Sequence, residues 1–158
     1  MDSADLRDVL AALPGGVVVV AAPFEGSFRG LTATSLTAVS LDPPLVLVSL
    51  DSLAVTTDAV RTAERFSISL LERRQEFLAE RFAGRAPMVA GDWHEVPHRL
   101  SPGGLPYVEG GVAWFECELE QAHEAGDHVI AIGAVVHAER AAGEPLVHWD
   151  RAFWRLAH

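Results

Sequence analysis

Apolar residues fall at Leu6, Val9, Leu10 and Leu13, spacings of three and four that predict a short amphipathic helix with Ser3 as its N-cap. Pro14-Gly15-Gly16 ends it. Residues 17–22 form a continuous, β-branched apolar run, the mark of a buried strand. Glu25-Gly26 predicts a turn that returns the chain along 27–34 as the second strand of a hairpin. Leu41-Asp42-Pro43-Pro44 predicts a rigid, extended connection, because each proline fixes its own φ and turns the preceding residue away from helix. Residues 45–50 are strand-like again. Thr56 or Thr57 is placed to cap a helix that runs to Ala63; 66–71 reads as a strand and 75–83 as a helix. Residues 84–106 show little periodicity and predict a long irregular excursion, uncommon without a function. From Val112 the alternation is clean. Ala113, Phe115, Cys117 and Leu119 share one face; Glu116, Glu118 and Glu120 share the other, which reads as a solvated face or part of a subunit contact, not paired catalytic carboxylates, with Cys117 in the core. Gly126-Asp127 turns the chain into 128–138, apolar on both faces, and 146–149 is a last short strand. About seven strands and three short helices, with no internal repeat or boundary, predict one mostly antiparallel barrel spanning 1–158.

Composition narrows the chemistry. Hydrophobic residues are 49% and charged residues 22% of the 158, so a packed core is expected. The formal net charge is −10, a field that repels a phosphate backbone and argues against nucleic acid as a partner. All 12 basic residues are arginines; without lysine there is no Schiff-base side chain and no Walker lysine. The single Cys117 excludes an intrachain disulfide, a multi-thiolate zinc site and a cysteine-ligated iron–sulfur cluster. No segment approaches the roughly 18–20 apolar residues of a membrane span. The acidic start (Asp2, Asp5, Asp8) lacks the positive region of a signal peptide, so a cytoplasmic protein without membrane partners is expected.

His94-Glu95-Val96-Pro97-His98 matches the H-E-x-x-H zinc signature letter for letter. That chemistry requires a helix, which brings both imidazoles to one ion, and Pro97 opposes helical geometry there. The match is read as chance, with no metal site expected. No G-x-G-x-x-G follows a strand, and no G-x-S-x-G elbow occurs. Thr32, Thr34, Ser35 and Thr37 put four hydroxyls in six residues ahead of the Pro-Pro segment. On the residues alone this reads either as a polar barrel loop or as a cradle of amides and hydroxyls for a phosphate or a planar ring.

The stretch 29–50, from Arg29-Gly30-Leu31-Thr32-Ala33-Thr34-Ser35 through Leu41-Asp42-Pro43-Pro44, resembles the G-x-T-A-S-S-F-x-S-V-S-L-D-P-P-L-V-L-V segment of the short-chain flavin reductases. Those enzymes are NAD(P)H-dependent and serve two-component monooxygenases. The likeness continues through 65–71, 80–83 (the R-F-A segment), 111–118 (G-A-x-A-x-x-E-C), Gly126-Asp127-His128 with Gly133, and 145–153. It implies a split β-barrel of the FMN-binding, Greek-key type with a few short helices, a homodimer with flavin near the subunit interface. It further implies that Thr32, Ala33, Thr34 and Ser35 contact the isoalloxazine and ribityl chain, and that Ser49, Leu50 and Asp51 offer backbone groups. Ser52 and Thr56 match the phosphate-binding positions. Arg81, Phe82 and Ala83 match the segment that closes over the cofactor. Gly126, Asp127 and His128 match the segment that meets NADH or NADPH, with His128 the catalytic candidate.

In such an enzyme FMN or FAD and the nicotinamide carry the reaction, and the protein stacks, orients and manages charge. A phosphate needs local positive charge, which Arg81 or Arg85 is placed to supply. Leu36 replaces the family's usual Phe, and Ser69 stands where many members have Asn; both departures bear on the shape of the flavin site. Two alternatives remain at this stage: a flavin oxidase or monooxygenase on the same barrel, and a flavin-binding or electron-transfer module without reductase turnover.

Overall fold

The structure, a computed structural model, describes residues 1–85 and 93–157. Helix α1 (Ser3–Leu10) is capped by Asp2, whose Oδ1 accepts from the Ala4 amide at 3.1 Å, so the predicted cap Ser3 is instead the first helical residue. None of α1 is buried, and Leu6, Val9 and Leu10 all lie exposed. A short β1 (Gly15–Gly16) leads into β2 (Val18–Phe24) and β3 (Ser27–Ala33). Glu25 and Gly26 both take positive φ in the predicted two-residue hairpin turn, whose twist suits the flanking strands.

The proline segment differs from expectation. Thr37–Leu41 is a strand, β4, and Asp42-Pro43, with a cis peptide bond, is the tight turn that folds it onto β5 (Pro44–Asp51). Rigidity here makes a corner, not a spacer. Helix α2 (Val55–Ala63) begins after Ala54, with Thr56 and Thr57 already inside it and buried. After β6 (Arg65–Leu70), the predicted helix 75–83 is a five-residue α3 (Glu76–Glu80) followed by a wide turn, Arg81–Arg85, that Gly84 closes at φ 78°. The described part of the excursion carries an unpredicted hairpin, β7 (His98–Leu100) and β8 (Pro106–Val108). Two long strands, β9 (Ala113–Ala125) and β10 (His128–Arg140), meet at Gly126-Asp127 as expected. Beyond the predicted last strand β11 (Val147–Trp149), Asp150-Arg151 turns the chain into β12 (Ala152–Trp154).

The main sheet has seven strands in the order β3-β2-β6-β9-β10-β5-β4, every pair antiparallel, curling into an open barrel. Its core holds Val18, Val20, Val48, Leu50, Phe66, Ile68 and Cys117. A second cluster lies on the other face of β2, where Val17, Val19 and Ala21 pack with Phe82, Trp93 and Val96. That explains why residues 17–22 lack alternation. Gly133 is required by packing: a Cβ there would stand 2.7 Å from Phe66 and 2.8 Å from the Cys117 Cβ.

Glu116 corrects the predicted glutamate face. It is 8% exposed, and its carboxylate accepts from the Gly103 amide at 3.0 Å, whereas Glu118 and Glu120 are exposed. The excursion folds back over this face, which alternation alone could not reveal.

Candidate functional site

One cavity of about 430 Å³ opens where the ends of β3, β5 and β10 meet the α3 turn. Nine of the residues singled out from the sequence line it: Thr32, Ala33, Thr34, Ser35, Ser49, Asp51, Phe82, Ala83 and His128. Leu31 and Ala54 complete the wall. Thr32, Thr34 and Ser35 of the hydroxyl run therefore converge on one space with His128, which lies 93 to 96 residues further along the chain, while Thr37 lies outside it. The volume lies inside the range of about 300–1,000 Å³ typical of small-molecule sites.

The local reasons are visible. Ser35 follows the end of β3, and its hydroxyl donates to the Ser49 carbonyl at 3.1 Å while accepting from the Ser49 amide at 2.9 Å. A side chain thus takes the place of a strand at the β5 edge beyond the reach of β4. Thr32 donates to the Ala79 carbonyl at 2.6 Å and fixes β3 to α3. Asp51 is used structurally: its carbonyl accepts from the Thr57 hydroxyl at 2.6 Å, and its carboxylate accepts from the Leu53 amide at 2.8 Å. Thr34 is exposed at the mouth.

Phe82 forms one wall and is backed by Trp93, ring centroids 5.1 Å apart, with Phe28 and His98 around Trp93. Gly30 makes room for both rings, since a Cβ there would lie 2.9 Å from each. His128 opens β10, and its Nδ1 bonds the Asp127 carboxylate at 2.7 Å, a bond that holds the Asp127 carboxyl below its usual range.

The remaining predicted residues sit nearby or apart. Leu50 is buried in the core, so its side chain does not line the cavity. Ser52 donates its amide to the Asp127 carbonyl at 3.0 Å, bringing the β5 end against the Gly126-Asp127 turn. Asp127 lines a separate hollow with Arg7, Leu10 and Ser49. Thr56 lies in a depression of about 250 Å³ that shares Leu31, Ala54, Phe82 and Ala83 with the main cavity. Arg81 does not line the cavity: it is 6% exposed and donates to the His94 carbonyl at 2.6 Å. The side chain of Arg85 lies outside what is described. The cation in the Thr56 depression is Arg29, which sequence reasoning passed over because it lies 27 residues from Thr56. His148 and Phe153 were also missed; they line a smaller hollow that shares Thr32, Ala33, Thr34 and Ala83.

The two departures noted above fall outside the cavity. Leu36 packs on the core, and the Ser69 hydroxyl accepts from the Val108 amide at 3.0 Å, anchoring β8. The His94–His98 stretch is a turn, with Glu95 at φ 59° and His98 opening β7, so its imidazoles do not share a helical face. Among the described residues no group of three or more His, Cys, Asp or Glu is placed to hold a metal. What the cavity offers is apolar surface beside the side chains of Thr32, Thr34, Ser35, Ser49 and His128, suited to a flat, polar heterocycle.

The comparisons agree with that geometry. Residues 10–157 match the flavin reductase like domain. The chain is 36% identical over 158 residues to the FMN reductase (NADH) SmoA of Agrobacterium fabrum, covering 99% of this chain and 87% of that protein. It is 35% identical over 151 residues to the reductase component of 4-hydroxyphenylacetate 3-monooxygenase from Thermus thermophilus, covering 95% and 94%. The solved structure of the Streptomyces globisporus C-1027 NADH:FAD oxidoreductase SgcE6, in complex with NAD and FAD fragments, superposes with a TM-score of 0.91 at 36% identity, covering 99% of this chain and 93% of that one. The fold is a flavin-reductase split barrel, and the chain belongs to the flavin reductase like domain family.

Proposed function

We propose that the protein is an NADH-dependent flavin reductase that takes hydride from NADH onto FMN or FAD and supplies reduced flavin to a partner monooxygenase. The observation that carries this is the cavity where the Thr32–Ser35 run, Ser49, Phe82, Ala83 and His128 converge. Its lining fits a flavin ring: Leu31, Ala33, Phe82 and Ala83 provide apolar surface for the ring faces, and Thr32, Thr34, Ser35 and Ser49 bring hydroxyl side chains to it.

When bound, flavin supplies the hydride-accepting ring chemistry, and the chain supplies position and electrostatics. Thr34 and Ser35 hold the ring at the β3 end. The Ser35–Ser49 pair keeps that loop from drifting, so the ring is presented in one orientation. Phe82 and Ala83 exclude water from one side. His128 meets the nicotinamide dinucleotide; Asp127 holds its Nδ1, which fixes ring orientation and leaves Nε2 for the ligand.

The molecule works as a homodimer in the cytoplasm. Leu6, Val9, Leu10 and Leu13 line an exposed apolar stripe at α1 that a second copy covers. Among the described residues no helix is long and apolar enough to cross a membrane.

The test is NADH oxidation by purified protein with FMN, FAD and riboflavin supplied in turn. Turnover that saturates with free flavin is expected. Tight flavin binding without NADH consumption would favour the binding-module alternative.

A further inference from the structure

The segment that opens at Trp93 lies behind the cavity wall and is tied to it twice. Arg81 donates to the His94 carbonyl at 2.6 Å, and Phe82 packs its ring on Trp93 at 5.1 Å between centroids. Two adjacent residues of the wide turn after α3 thus engage two adjacent residues of the excursion. Trp93 is itself confined. The His98 and Phe28 rings meet it edge-on, at 5.2 Å and 6.4 Å between centroids, and the His98 Nδ1 bonds the Val96 carbonyl at 2.6 Å. From the strand side Gly30 leaves no slack, since a Cβ there would stand 2.9 Å from both the Phe82 and the Trp93 rings. Trp93 is 3% exposed and does not line the cavity, whereas Phe82 does. The indole N–H is buried without a hydrogen-bond partner among the described residues, so this side chain contributes through its shape and not through a hydrogen bond.

Resting on the flavin-reductase reading above, we propose that Trp93 is a positioning residue. From behind Phe82 it fixes the wall against which the flavin ring lies, and so sets the approach of the ring to the nicotinamide. A rigid backing matters because a displacement of about 1 Å at a reacting pair can cost on the order of a hundredfold in rate. A wall free to recede would let the ring take more than one pose. The described part of the 84–106 excursion thereby acts in the reaction, through Phe82.

The test is a double-mutant cycle on Phe82→Ala and Trp93→Leu, with Trp93→Phe as the conservative variant. The readouts are flavin titration, the absorption spectrum of bound FMN, and the rate at which saturating NADH reduces it. Trp93→Leu is expected to slow reduction about tenfold, raise the FMN Kd severalfold and shift the spectrum, while the KM for NADH moves less than about twofold. In the Phe82→Ala background the same substitution is expected to add less than about twofold, because the wall it supports is gone. Trp93→Phe keeps a ring behind Phe82 and loses no hydrogen bond, so it is expected to stay within about threefold of wild type. A folded Trp93→Leu that matches wild type, or losses that multiply in the double variant as a purely structural role predicts, would overturn the proposal. If Trp93→Leu does not fold, Gly30→Ala carries the test from the strand side. Crowding both rings is expected to slow reduction and shift the spectrum, and an unchanged rate and spectrum would overturn the proposal. A wild type whose bound flavin NADH leaves oxidised would overturn the reductase reading. The same cycle in FMN Kd would then decide the role of Trp93, coupled losses sustaining it and independent losses overturning it.

Discussion

Ser35 shows how much one side chain does here. Its hydroxyl both donates to and accepts from the Ser49 backbone, so removing it leaves two polar groups at the cavity edge short of a partner. Thr34→Ala combined with Ser35→Ala is expected to weaken flavin binding about tenfold or more, measured by flavin titration; an affinity equal to wild type would contradict the placement of the loop. His128 has the opposite expectation. His128→Ala is expected to raise the KM for NADH or lower turnover while flavin affinity stays within about twofold, on the proposal that the imidazole meets the second substrate. Parallel loss of flavin binding would show that His128 holds the flavin instead. Cys117 is core: burial, then the nearby Glu116, pushes its thiol up to about 12 from 9.0. Above pH 9 the unfolded thiol loses its proton while the folded one keeps it, so the folded state binds more protons and stability falls as pH rises toward 12. The slope reaches at most about 1.4 kcal/mol per pH unit, and denaturant titrations of Cys117→Ala across that window are expected to lack this contribution. The residue types of the site were legible in the chain. Their partners were not, since the Ser35–Ser49 pair depends on how the β4–β5 corner folds, and Arg29 and Thr56 come to line one depression only because α2 packs beside β3.

At the scale of elements, the period-2 and continuous apolar patterns identified β2, β3, β5, β6, β9 and β10, and local turn chemistry at Glu25-Gly26 and Gly126-Asp127 joined two pairs of them correctly. What failed was whatever depends on distant packing. Residues 37–41 are mostly exposed on an edge strand and carry no core signal, so β4 was read as loop. Glu116 looked like its solvated neighbours until the segment around Gly103 folded over it. The long β9–β10 pair also carries a packing demand that a substitution exposes. Gly133→Ala forces a Cβ against Phe66 and Cys117, an overpacking expected to cost about 1–3 kcal/mol. Thermal unfolding checks this; an unchanged Tm would mean that the strands separate there at little cost.

For the whole molecule, the family resemblance and the barrel agree, while α1 remains the least anchored element. It is held by the Asp150 amide to the Ala11 carbonyl at 2.9 Å, the Trp149 indole to the Ala12 carbonyl at 3.1 Å, and Arg151 to Asp8 at 3.0 Å, with no buried side chain of its own. Its apolar spacing was read correctly as amphipathic, but the spacing does not say what the exposed apolar side meets; a second copy is the occupant proposed above. Val9→Glu with Leu10→Glu is therefore expected to convert a dimer to monomer in light scattering after size exclusion, with the barrel still folded. A wild type already monomeric would remove that role from α1. The central claim is that the cavity of the Thr32–Ser35 loop holds flavin so that NADH reduces it. The most direct test mixes protein carrying one equivalent of FMN with NADH under anaerobic conditions and follows loss of the oxidised-flavin absorbance. Bleaching whose rate saturates with NADH and far exceeds that of free FMN is the predicted result, and bound flavin that stays oxidised would contradict it.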